Sequence, residues 1–149
     1  MTPGATPMPD VELEFHTALA APPERVFAAL TRAEHLIRWF ADQAESDPRE
    51  GGKLMLRWTR DGSSEEPFVG QWARFEAPRA CAFTGGHAGY PGGQAGRIGF
   101  SLEPHGAGTR LVTVHAMPPL VEYAQVARDY TGAWPRALDR LVDYLTPGR

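Results

Sequence analysis

A chain of 149 residues, 42% hydrophobic and 22% charged, is long enough for one domain with a real core and has the composition of a soluble globular protein. Its net charge of −3, with 15 scattered basic residues of which only Lys53 is a lysine, excludes nucleic acid as the default partner, because phosphate binding needs clustered Lys and Arg. No run of eighteen apolar residues and no signal peptide is seen, and a lone cysteine, Cys81, excludes an internal disulfide framework. A cytoplasmic protein without a membrane span is the economical expectation. The excess of Arg over Lys, with abundant Ala, Gly and Pro, suggests a bacterial, high-GC source.

In chain order, Met1 to Pro9 hold four residues of Pro or Gly and no periodic pattern, which predicts a disordered tail over residues 1–9. Val11, Leu13, Phe15, Thr17 and Leu19 alternate with Glu12, Glu14, His16 and Ala18, the pattern of a half-buried strand. Pro22 and Pro23 close that strand and open a short helix over Glu24–Leu30. Thr31 and Glu34 stand at capping-box spacing and predict a second short helix, with Leu36, Trp39 and Phe40 on one face. Residues 41–52 are polar and turn-rich and predict a loop.

From Gly51 to His115 the period is two. Strands are predicted at Lys53–Thr59, Phe68–Glu76, Arg79–Thr84, Arg97–Glu103 and Thr109–His115. Asp61–Gly62, Ala77–Pro78 and Gly106–Gly108 supply the turns. Such short connections require antiparallel pairing. Gly85–Gly96 holds six glycines in twelve positions and predicts a flexible loop, dispensable for folding.

Pro118–Leu145 is the one segment with sustained helical periodicity. Tyr123, Ala127, Tyr130, Trp134, Leu138, Leu141 and Leu145 share a face, and charged residues occupy the other. Gly132 and Pro135 predict a kink or a break near Thr131–Pro135. The order of elements gives an α+β fold in which the terminal helix covers an antiparallel sheet.

The segments Ala21–Phe40, Asp47–Leu54, Gly70–Arg79 (G-x-W-x-x-F-E-A-P-R), Gly108–His115 and Tyr130–Leu145 occur in an order that resembles the C-terminal-like family of activators of heat-shock-protein ATPase. That family lies within the START/Bet v-type helix-grip (SRPBCC) superfamily. The resemblance implies one helix-grip domain over residues 10–146. Its curved six-stranded antiparallel sheet would wrap around the long C-terminal helix, with two short helices between strands 1 and 2. It also implies an apolar cavity between sheet and helix, and ligands among lipids, sterols, hormones and polyketides.

The residues themselves point to no catalytic or metal constellation. His16, His35, His87, His105 and His115 lack metal-ligand spacing, and no metal or cofactor is implied. Cys81 carries no nucleophile signature and reads as a small core hydrophobe. Ser101 sits in GFSLE, which is not a nucleophile elbow. The glycine-rich loop lacks the Lys-Ser/Thr of a phosphate cradle. Glu65 and Glu66 fall in a turn and are most simply solvated.

The aromatic residues say more. Trp39, Phe40, Trp58, Trp72, Phe83, Phe100, Tyr123, Tyr130 and Trp134 lie on elements that a helix-grip arrangement would bring together, with His115 as the polar group. Any one of them can simply fill a core. As a set they are rich in N–H and O–H groups that need partners when buried, the usual make-up of a small-molecule site. The expected function is therefore binding of a small hydrophobic molecule by these ten residues. A protein-interaction module of the chaperone-activator type, with a protein partner, and a cyclase- or hydratase-like enzyme are the alternatives. Both a monomer and a homodimer are compatible with the sequence.

Overall fold

The computed structural model describes residues 11–59 and 67–148. The expected tail, the Asp61–Gly62 turn and the pair Glu65 and Glu66 lie outside the described residues. Seven strands form one fully antiparallel sheet: β1 (Val11–Leu19), β2 (Gln43–Ser46), β3 (Lys53–Arg57), β4 (Phe68–Glu76), β5 (Ala80–Gly86), β6 (Arg97–His105) and β7 (Gly108–Met117), in the order β1-β7-β6-β5-β4-β3-β2. Helices α1 (Pro23–Thr31) and α2 (Ala33–Trp39) lie between β1 and β2, and α3 (Ala124–Leu145) closes the chain. This is the α+β helix-grip arrangement, with seven strands rather than six.

The additional strand is β2, four residues in the segment expected to be a loop. Its sequence, QAES, has no apolar alternation, and only its ladder to β3 (Gln43↔Arg57 to Ser46↔Leu54) makes it a strand. The period-two reading holds along β1, β3, β6 and β7, while β5 is buried along nearly its whole length. Along β7, Thr109, Leu111, Thr113, His115 and Met117 are buried, and the residues between them are more exposed. A two-residue turn at Gly106–Ala107 joins β6 to β7, whose register runs from Arg97↔Ala116 to His105↔Gly108.

Two features bend the sheet. Between Trp72 and Arg74 the register of β4 against β5 shifts by a residue, a bulge that increases local twist. Gly70 stands opposite Gly85, and Gly85 has φ +147°; a Cβ on it would lie 2.4 Å from the Val69 carbonyl oxygen. Only glycine permits so close a crossing.

The second short helix does not begin as expected. Thr31 is the last residue of α1, and its hydroxyl donates back to the Phe27 carbonyl at 2.8 Å instead of capping α2. Arg32 joins the two helices, and α2 starts with no side-chain cap. The long helix also differs. It begins at Ala124, after a single 3₁₀ turn at Val121–Tyr123, and it runs unbroken through Pro135. Thr131 and Pro135 are both exposed, so the carbonyl freed by proline can be hydrated. Trp134, Ala137 and Leu138 hold the same turns against the core. Each buried leucine of α3 contributes about 1.5–3 kcal/mol, more than enough to bridge one missing hydrogen bond.

Candidate functional site

Six rings from four parts of the chain form a continuous wall. Phe40, just after α2, stacks on Trp134 of α3 at 5.6 Å between centroids, with 16° between the planes. Trp58, just after β3, meets Phe40 edge-on at 5.4 Å. On the other side Trp134 is followed by Tyr130 at 6.2 Å, Tyr130 by Tyr90 at 6.1 Å, and Tyr90 by His87 at 3.9 Å. All six border a cleft of about 460 Å³, together with Phe68, Asp129, Ala133, Arg136, Ala137 and Arg140. This volume lies within the range of small-molecule sites.

Helical geometry explains the cleft's two-toned edge. Tyr130, Trp134 and Ala137 follow one another at spacings of four and three and form the inner wall. Asp129, Ala133, Arg136 and Arg140, at spacings of four, three and four, form the neighbouring row at the rim. The rim is thus acidic toward the start of α3 and basic toward its end. Asp129 accepts a hydrogen bond from Gln125 at 2.7 Å, and Arg140 Nε donates to the Trp39 carbonyl at 2.9 Å.

Behind the wall, His115 is fully buried on β7. Its Nε2 lies 2.5 Å from the Ala95 carbonyl oxygen, which can only accept, so this nitrogen carries the proton. Its Nδ1 lies 3.1 Å from Trp134 Nε1, whose N–H can only donate, so this nitrogen is bare. The ring is the neutral Nε2–H tautomer, and burial lowers its pKa below the ordinary 6.5, against a smaller upward pull from Ala95. Trp134 is locked in orientation by this bond.

Burial, together with the neighbouring Tyr90, pushes the Tyr130 hydroxyl well above its ordinary value of 10.0, so it remains a neutral donor. The Tyr90 and Tyr130 hydroxyls lie 3.2 Å apart, within hydrogen-bond distance, at the edge of the cleft. The other tryptophan N–H groups are satisfied too: Trp39 by Ala29 O, Trp58 by Phe40 O and Trp72 by Ser46 Oγ.

The ten candidate residues do not share one wall. Phe40, Trp58, Tyr130 and Trp134 border the cleft. Trp39, Trp72, Phe83 and Phe100 lie in the core, where the remaining void is about 10 Å³, at the lower limit for one water. The interior between sheet and helix is therefore packed at this point, and the open space is a cleft along α3. His115 supports the wall from behind. Tyr123 borders a separate depression with Val11, Met117 and Leu120.

Sequence reasoning missed His87, Phe68 and the rim residues of α3. The rim was legible, since Asp129, Ala133, Arg136 and Arg140 flank the predicted inner stripe at helical spacing. His87 and Phe68 join only through the sheet's curvature.

The glycine-rich loop is folded onto α3 rather than standing apart. Gly85 and Gly86 belong to β5, Ala95 is fully buried, and Tyr90 rests on Tyr130. Among the described residues no group of three or more His, Cys, Asp or Glu could hold a metal, and no helix is long and apolar enough to cross a membrane. Burial pushes the Cys81 thiol up to about 12, which keeps it protonated and unreactive.

The model of the family described as "Activator of Hsp90 ATPase homolog 1-like protein" matches residues 20–146. The chain belongs to this family. Solved structures of similar shape include CalU16 from Micromonospora echinospora, at 25% identity and a TM-score of 0.73, covering 93% of this chain and 78% of that one. The Aha1 dimer from Colwellia psychrerythraea is 18% identical with a TM-score of 0.77, over 93% of this chain and 98% of that one. DynU16, a protein of the dynemicin biosynthetic locus, is 20% identical with a TM-score of 0.72, over 95% of this chain and 49% of that one. No curated protein matches the chain. The last two likenesses are of the fold alone.

Proposed function

We propose that the protein binds a small, flat, largely apolar molecule in the cleft between α3, Phe40 and Trp58, in the cytoplasm. The observation that carries this reading is the wall of six rings around about 460 Å³, with the Tyr90 and Tyr130 hydroxyls among them. Aromatic walls favour flat ligands, because offset stacking and edge contacts add to simple burial. Filling the cleft tests it. Ala133 lines the space and is half-buried, so Ala133→Phe adds bulk without removing a contact. A planar fluorescent dye should bind the wild type saturably and bind the variant at least tenfold more weakly, with both proteins unfolding at similar temperatures. Equal binding by the two would rule the cleft out as the site.

A second reading, a protein-interaction module, is favoured by a different observation. Val121 is 85% exposed and Leu120 55% exposed, beside Val11 around a depression of about 320 Å³. Such clustered exposure marks contact surfaces. Membership of the Hsp90-activator-like family favours an Hsp90-type ATPase as the partner in this reading. The expected result is faster ATP turnover by a bacterial Hsp90 in the presence of the protein, abolished by Leu120→Asp with Val121→Asp. No acceleration by the wild type removes this reading.

A further inference from the structure

We infer that the outer edge of β1 pairs with the same edge of a second copy of this chain, antiparallel and in a single register, about a two-fold axis at Phe15. The inference is independent of the cleft and of the corner at Leu120 and Val121.

A sheet that does not close has two edges, and each exposes a row of backbone N–H and C=O groups that another strand can take up. The two edges of this sheet differ. β2 is only four residues long and packs against α2. β1 is nine residues long, roughly 30 Å. Among the described residues, its backbone is hydrogen-bonded to β7 and to no other strand or loop. It has no proline and no lysine, and its ladder to β7 runs without a bulge, so three common devices that spoil an edge are missing.

The charges that β1 does carry select the partner. Glu12, Glu14, His16 and Ala18 lie on its exposed face, and Val11, Leu13, Phe15, Thr17 and Leu19 on the other. A two-fold axis normal to the sheet keeps each face continuous across the junction, so the register depends only on which residue lies on the axis. An axis at Leu13 sets Glu12 opposite Glu14 of the second copy, and an axis at Glu14 sets the two Glu14 side chains against each other. Like charges directly opposite are destabilising. An axis at His16 opposes the two imidazoles and leaves Val11 and Glu12 beyond the end of the pairing strand. An axis at Phe15 sets Glu14 opposite His16 on both sides and Glu12 opposite Ala18. It is also the register that pairs all nine residues, from Val11 with Leu19 to Leu19 with Val11.

On the inner face this register brings the two half-buried Phe15 rings together, and it sets Val11, which is 41% exposed, beside Leu19 of the second copy. Within one chain His16 Nε2 already lies 2.8 Å from Glu14, with both side chains more than half exposed. Pairing two copies would join two such pairs into one network of carboxylates and imidazoles. An unrelated strand would have to match both the charge order and the length, whereas a second copy matches them by symmetry.

The test uses the full chain. Its mass by sedimentation velocity, from low micromolar to millimolar concentration, should rise from 16.3 kDa toward twice that value. His16→Glu opposes like charges on both sides of the axis and should weaken dimerisation about tenfold or more. Glu14→Lys combined with His16→Glu restores opposite charges and should return the affinity to within about threefold of wild type. Both positions are exposed, so the three proteins should unfold at the same temperature. The register is read by mixing Glu12→Cys chains with Ala18→Cys chains. Opposite Cα atoms in an antiparallel pair lie about 4.5–5.5 Å apart, within disulfide reach. Oxidation should therefore cross-link the mixture and neither variant alone, with Cys81 buried and out of reach. A mass that stays at 16.3 kDa, as it would if the edge served a strand of another protein, overturns the inference. So does a dimer that His16→Glu leaves intact, or one whose two cysteine variants give no cross-link.

Discussion

His115 is the residue on which most of the site's order depends. One ring donates to the loop at Ala95 and accepts from Trp134, so a single neutral tautomer joins β7, the loop and α3. Protonation would put a second N–H at Nδ1, facing the indole N–H, and break that link. The sign of the pH effect follows. His115 has a lowered pKa when folded, so below the ordinary 6.5 the unfolded chain takes up a proton that the folded chain refuses. This contribution is fully present above about pH 6.5 and is lost as pH falls, at up to about 1.4 kcal/mol per pH unit. Gln carries a donating NH₂ and an accepting carbonyl oxygen on its amide and cannot titrate. Urea unfolding should show wild type more stable than His115→Gln at pH 7.5, with the gap narrowing by about 1 kcal/mol at pH 5.5. A gap that does not change with pH would remove His115 from this role.

At the scale of elements, the loop between β5 and β6 shows how composition misleads. Six glycines suggest an unstructured, expendable segment, yet the loop's neck is closed by Ala95 N donating to Gly85 O at 2.8 Å. The neck and the tip make different contributions. Replacing residues 87–94 with Asn-Gly keeps Ala95 and its carbonyl, and it removes His87 and Tyr90 from the cleft wall. Deleting residues 85–96 as a whole also strips the acceptor from a fully buried imidazole N–H, an orphaned donor worth about 1–3 kcal/mol. The full deletion should therefore be less stable than the trimmed loop by about that amount in urea unfolding. The trimmed form should stay close to wild type while losing dye affinity. Equal stability of the two would mean that Ala95 does not support the fold. The same contrast between local and tertiary preference appears in α3. Pro135 alone argues for a break, but the turns around it are held by Trp134, Ala137 and Leu138 in the core.

At the scale of the molecule, one curved sheet and one helix leave two surfaces of different character. The cleft lies between α3, Phe40 at the end of α2, Phe68 at the start of β4 and His87 just after β5. The exposed apolar corner of Leu120 and Val121 lies at the other end of the helix, beside the edge strand β1. The two sites share no lining residue, so ligand binding and partner binding can be removed separately by the substitutions given above.

The sequence by itself determined the elements whose pattern is local and repeated. Alternation marked β1, β3, β4, β6 and β7, turn residues on either side marked β5, and a spacing of three and four marked the buried stripe of α3, because a strand or an amphipathic helix writes its period into its own residues. Family resemblance then ordered these elements into a helix grip. Tertiary structure alone decided β2, which is a strand only because β3 lends it a ladder, and the use of Thr31, whose hydroxyl closes α1 instead of opening α2. It also decided the division of the aromatic residues. Trp72 and Trp134 look alike in sequence, both buried and both in need of a partner for their N–H. Trp72 fills the core under Phe83, whereas Trp134 faces the cleft beside Phe40 and Tyr130. That difference depends on how far a bulge and two facing glycines bend the sheet around the helix. No periodicity records such a bend, because it is a relation between strands that are distant in the chain.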